Sequence, residues 1–175
     1  VTRFPELHLV LAHFFFHSHQ LDRAAAFLDR HPCVSFDLCP GTEMYDNFSQ
    51  APAAVRTFFL KYQDRLVFGT DNWDTDDPQE KKDKDEINRM IHNFLQTGKA
   101  FSVWDRKMCG LDLPVSVLKK IYEKNFRRLA GKEPRALNKT ALAEHCRELI
   151  DEPERFGTVQ EDKIRLQTVL DTLSA

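Results

Sequence analysis

At 175 residues the chain is long enough for one domain or a large piece of one. Its 42% hydrophobic and 30% charged residues are the balance of a globular chain, not a disordered one. A net charge of −2 gives no electrostatic pull toward nucleic acid or an anionic membrane, and no apolar stretch reaches bilayer length.

The opening Val1-Thr2-Arg3-Phe4-Pro5 has no initiator Met and no basic-then-apolar start of a secretory leader. It runs almost at once into a strand, so the expectation is the continuation of a longer polypeptide. Cys33, Cys39, Cys109 and Cys146 match no zinc knuckle and no Cys-x-x-Cys motif, so reduced thiols in a cytoplasmic protein are expected.

In chain order, the nearly continuous apolar run at 7–12 predicts a strand buried on both faces, as in a parallel sheet. Residues 20–30 predict a helix with Leu21, Ala24, Ala25, Phe27 and Leu28 on one stripe, stopped by Pro32. A second strand is expected at 33–38, followed by a Pro40-Gly41 turn and a loop over 41–50 that carries Glu43, Tyr45 and Asn47. A helix over 52–62, opened by Pro52, leads to a third strand at 66–70. Strand–helix–strand–helix–strand is the βαβ order, which fits either a doubly wound sheet or a β/α barrel.

Beyond Asp71 the character changes. Residues 74–86 hold seven acidic and three basic side chains, which reads as a solvated loop and the exposed start of a helix over 84–97. A further helix is expected over 114–130, between Pro114 and Gly131. Two more follow, at 139–150 with Asn138 as cap and at 159–173 with Thr158 and Glu161 in capping-box spacing.

Each expected strand delivers a polar residue at its C-terminal end: His13, Asp37 and Asp71. Parallel α/β folds build their sites at that end. A carboxylate there can ligate a divalent metal and take a proton from water, and a histidine can ligate or hold a developing anion. His13 and Asp71 are therefore the candidate catalytic and metal-ligating pair. Asn72 and Trp73, directly after Asp71, are candidate substrate contacts. Asp37 reads equally as a structural acceptor or a substrate contact. Glu43, Tyr45 and Asn47 read equally as substrate contacts or as polar residues facing solvent. His17-Ser18-His19 has the His-x-His form of a chelate but lies outside a strand, so a loop role is the expectation.

Four segments carry a family resemblance. Arg3-Phe4-Pro5-Glu6-Leu7-His8-Leu9-Val10-Leu11-Ala12-His13, His31-Pro32-Cys33-Val34-Ser35-Phe36-Asp37-Leu38, Asp64-Arg65-Leu66-Val67-Phe68-Gly69-Thr70-Asp71 and Ile121-Tyr122-Glu123-Lys124-Asn125-Phe126-Arg127-Arg128-Leu129-Ala130-Gly131 resemble, in order, segments of the amidohydrolase-related metal-dependent hydrolases. The resemblance implies a (β/α)8 barrel of TIM type, with the last three strands in this chain over 1–131 and a helical C-terminal extension over 132–175. It implies a metal-dependent hydrolase in which a metal, zinc first, activates water to attack a C–N or C–O bond of a small molecule. His13 would be a ligand or the residue polarising that water, and Asp71 a ligand and proton acceptor. The remaining ligands would lie in polypeptide outside these residues, leaving the 175 residues inactive alone. Asn125, Arg127 and Arg128 would tie the barrel shut. Two departures bear on substrate: Phe14-Phe15-Phe16 replaces the glycine the family commonly has after this histidine, with the pocket floor or the loop reshaped, and the acidic segment after Asp71 would form a lid. The alternatives are a metal-dependent decarboxylase of the same superfamily and a non-catalytic α/β interaction protein with a helical tail. A homo-oligomer is a further expectation.

Overall fold

The computed structural model describes residues 3–4, 6–133 and 136–174. Pro5 of the first family segment lies outside the described residues. Two compact units result, Val1–Lys132 and Glu133–Ala175.

The first unit is mixed α/β. Its strands β1 (Leu9–Leu11), β2 (Val34–Asp37) and β3 (Leu66–Val67) form a parallel sheet in the order β1-β2-β3. The crossovers carry α1 (Leu21–Arg30) between β1 and β2, then α2 (Thr42–Gln50) and α3 (Pro52–Lys61) between β2 and β3. The strands are shorter than the apolar runs predict, because pairing ends where each chain turns toward the polar residue at its tip.

Residues 41–50 are not a loop. Thr42, Glu43, Asp46, Asn47 and Ser49 bias the composition toward turns, but Met44, Tyr45 and Phe48 fall on one helical face and all three are buried. Tyr45 is fully buried and its hydroxyl donates to the Leu38 carbonyl at 2.8 Å, so it anchors α2 beneath β2 and cannot meet a substrate.

Phe14, Phe36, Phe48, Phe59 and Phe94 form the centre of the core. Phe14 lies 4.9 Å from Phe36 and 5.0 Å from Phe48, ring centre to ring centre, in tilted and edge-on geometry. Phe94 comes from α4 (Pro78–Gln96), whose Met90, Ile91 and Leu95 are also buried. The charged run is thus mostly helix. Asp77 caps it, its carboxylate accepting from the amides of Gln79 and Glu80. From Pro78 onward it is anchored to the core and is no free lid.

Residues 98–113, given no element from pattern, hold an antiparallel hairpin of β4 (Ala100–Val103) and β5 (Arg106–Cys109). Its two-residue turn is Trp104-Asp105, with Trp104 at φ 50°. No Asn-Gly or Asp-Gly marks that turn, which hid it. Arg106 pairs with Asp46, fixing the hairpin to α2.

The closing helix is a composite of α5 (Val115–Lys119), a π-helical turn (Lys120–Lys124) and α6 (Asn125–Ala130). A π turn shifts the hydrogen-bond register, and here the Ile121 carbonyl accepts from the Phe68 amide at 2.9 Å. Asn125, 1% exposed, donates through Nδ2 to the carbonyls of Leu66 and Gln63, each at 2.7 Å. Leu66 and Phe68 are the residues β3 turns away from β2. Their edge groups are thereby satisfied by the closing helix.

The second unit contains α7 (Lys139–Asp151), a short helix α8 (Pro153–Phe156) and α9 (Gln160–Ser174), with α7 packed on α9. Asn138 caps α7, accepting from the Ala141 amide at 3.0 Å. At α9 the reach-back comes from Asp162, which accepts from the Val159 amide at 3.2 Å, one residue later than the Thr158–Glu161 spacing predicts.

Candidate active site at the C-terminal strand ends

β1 ends at Leu11, and the next residues form a left-handed turn, His13–Phe16. All four have positive φ, from 52° to 55°. This is the region glycine enters freely and other residues enter at a cost of about 1–2 kcal/mol each. Phe14, at φ 53° and ψ 24°, stands where the family commonly has glycine. Its ring does not form a pocket floor. It enters the core and offsets the backbone cost by burial. The loop is what is reshaped: Phe15 packs on Phe27 at 5.3 Å, and Phe16 stays 66% exposed with its ring 5.7 Å from that of His13.

The turn throws His13 over the end of β2. There Asp37 Oδ1 accepts from the His13 amide at 2.8 Å and from the Cys39 amide at 3.1 Å. His13 Nδ1 lies 3.3 Å from the Cys39 carbonyl. A carbonyl can only accept, so Nδ1 carries the proton and Nε2 is left for another partner. Nε2 stands 4.0 Å from Asp71 Oδ2.

Asp71 arrives from the end of β3, also with positive φ, 55°. Its side chain is well exposed while that of His13 is partly covered. Gly69 sits against Cys39: a Cβ at residue 69 would lie 2.4 Å from Cys39 Sγ. Burial, then the nearby Asp37 carboxylate, pushes the Cys39 thiol up to about 11. The thiol therefore stays protonated across the physiological range.

Asn72 Nδ2 donates to Asn88 Oδ1 at 3.3 Å. Trp73 is 57% exposed, with Nε1 donating to Glu80 Oε2 at 3.0 Å and Lys84 Nζ 4.4 Å from the ring centre. Both residues are held by α4. Asn47 Nδ2 donates to Ser18 Oγ at 3.0 Å. His17 packs edge-on against Phe15, and His19 Nε2 lies 2.9 Å from the Gln20 side-chain amide. Asp37, which the sequence leaves open between two roles, is a structural acceptor for the His13 and Cys39 amides.

The amidohydrolase family model matches residues 1–131. The chain belongs to the amidohydrolase family. Neither the curated proteins nor the solved structures contain a match. Members of the amidohydrolase family are mostly enzymes of hydrolase or decarboxylase type, and they typically use divalent metals. His13, Asp37, Asp71 and Asn125 all fall inside the amidohydrolase match.

The donors suit such a metal. Imidazole nitrogen and carboxylate oxygen are zinc ligands, and tetrahedral ligands on bonds of about 2.1 Å lie about 3.4 Å apart. The observed 4.0 Å is within a small side-chain adjustment of that. Among the described residues no group of three or more His, Cys, Asp or Glu is arranged to hold a metal.

Proposed function

We propose that these residues belong to a metal-dependent hydrolase acting on a C–N or C–O bond of a small molecule. The observation that carries this reading is the approach of His13 Nε2 to Asp71 Oδ2 from strands separated by β2. A divalent metal, zinc by ligand type, supplies Lewis acidity that lowers the pKa of water. His13 would hold such a metal through Nε2, its ring fixed by the Cys39 carbonyl. Asp71 would be a ligand and the acceptor of a proton from the attacking water. Asn72 and Trp73 stand next to Asp71 and contact substrate at the mouth of the site. A decarboxylase of the same superfamily would use the same pair.

We further propose the (β/α)8 barrel. Three parallel strands in sequential order, each joined by helices, support it. β1 is an edge strand in the described residues, and its free edge is open to pairing with a further strand. The other ligands would come from strands outside these residues.

Titration of zinc into the complete protein tests the reading. About one or two ions should bind, and His13→Ala or Asp71→Ala should abolish at least one. Unchanged binding in both variants sinks it. A loss of self-association on removing residues 133–175, with no metal uptake at all, supports the interaction protein instead.

A further inference from the structure

We propose that Asp37 is the positioning residue of the site, holding through one carboxylate oxygen the two main-chain units that aim His13 Nε2 at Asp71. It rests on the metal-facing role of His13 given above and adds what enforces it.

Three observations carry the inference. First, Asp37 Oδ1 accepts from two amides, those of His13 and Cys39, and so clamps the turn after β1 to the turn after β2. Charge-assisted bonds of this kind are about twice as strong as neutral ones. Second, His13 begins a run of four left-handed residues. Backbone bonds from the Phe15 and His17 amides and the burial of Phe14 support that turn, and Asp37 adds the bond that holds its first amide. Third, the Cys39 unit whose amide Asp37 takes is the same unit whose carbonyl accepts from His13 Nδ1. Moving Cys39 therefore removes the acceptor that fixes the tautomer. In water a neutral imidazole favours the proton on Nε2. Here the Cys39 carbonyl reverses that preference and leaves the Nε2 lone pair for a metal.

Asp37 acts through the His13 and Cys39 amides, not on Nε2, and its carboxylate also meets the Cys39 thiol.

The test is the tautomer of His13, read by long-range nitrogen–proton correlation on the whole chain, without metal, at a pH where the ring is neutral. The expected result is an Nδ1–H ring in the parent chain. Asp37→Ala should convert it to Nε2–H and lower hydrogen-exchange protection of the His13 and Cys39 amides by about tenfold or more. Asp37→Asn, which keeps an acceptor oxygen, should retain Nδ1–H with weaker protection. In the complete protein, Asp37→Ala should lower zinc affinity by about 10–100-fold, the usual effect of losing such a partner, and Asp37→Asn should restore most of it.

An Nε2–H ring in the parent chain overturns the proposal. So does an unchanged tautomer in Asp37→Ala. Should Asp37→Ala fail to fold, the parent spectrum and the Asp37→Asn protection decide, and full parental protection in Asp37→Asn overturns it. Because the ring is read without metal, failure of the complete protein to bind zinc removes the hydrolase reading while leaving the tautomer result to stand by itself.

Discussion

His13 Nε2 and Asp71 Oδ2 stand 4.0 Å apart, yet the strands that deliver them never touch, because β2 runs between them. Neighbouring strands are about 4.8 Å apart, so β1 and β3 are separated by roughly 10 Å. The gap is closed above the sheet, by a left-handed turn on one side and a left-handed Asp71 on the other.

Asp71 therefore carries backbone strain at a position proposed above to hold a metal. Asp71→Gly should fold more stably than Asp71→Ala by about 0.5–1 kcal/mol, because glycine accepts φ 55° and alanine does not. Urea unfolding of the two variants checks it, and equal midpoints would count against strain.

Two phenylalanines of the turn, Phe14 and Phe16, should respond in opposite ways. Phe16 is exposed, so Phe16→Gly removes left-handed strain at little packing cost and should stabilise by about 0.5–1 kcal/mol. Phe14 is fully buried among four phenylalanines, so Phe14→Ala should cost about 3–5 kcal/mol despite the same backbone angle. Thermal unfolding separates the two.

Asn125 donates to the buried Leu66 carbonyl and to the partly buried Gln63 carbonyl. Asn125→Ala should cost about 2–3 kcal/mol by leaving both unsatisfied. Asn125→Asp should be worse, since its oxygens would face two carbonyl oxygens. Denaturant midpoints ordered otherwise would argue against the role of Asn125 at the β3 edge.

Burial, and then the charge of Arg23, holds His17 below the ordinary histidine value. On the sign, below about pH 6.5 the unfolded chain protonates His17 before the folded chain does. Stability is thus full above pH 6.5 and falls as pH drops from there through the folded value. His17→Phe, which keeps the ring contacts to Phe15 and Phe27, should flatten that part of the stability–pH curve. An identical slope in the variant is the contrary result.

Gly69 and Cys39 should be coupled. Gly69→Ala drives a methyl to within 2.4 Å of Cys39 Sγ, whereas with the sulfur removed the nearest Cys39 atoms are at 3.5 and 3.7 Å. Gly69→Ala should therefore destabilise the parent chain and be nearly neutral in a Cys39→Ala background. A double-mutant cycle measures this coupling, and additive effects would deny the contact.

Much of this was readable from residue order alone. The apolar runs at 7–12 and 33–38 and the helices over 20–30 and 52–62 follow from burial period, which is a local property of sequence. The helix over 42–50 was obscured because its polar residues are turn formers, and only the burial of Met44, Tyr45 and Phe48 overrides them. The hairpin of β4 and β5 was obscured because its turn lacks glycine. His13 and Asp71 were legible as strand-end residues of a family pattern. Asp37 was legible as polar but not as the acceptor for two amides, since hydrogen bonds across a sheet leave no spacing signal.

What the sequence determined by itself is the alternation of elements and which chemical groups stand at their ends, because helix and strand periods are written in neighbouring residues. What only the tertiary structure decided is which end groups meet. That depends on strand order, on four residues taking the left-handed region against their preference, and on a single carboxylate oxygen holding two chain segments together. Those are relations between distant residues, and no local pattern encodes them.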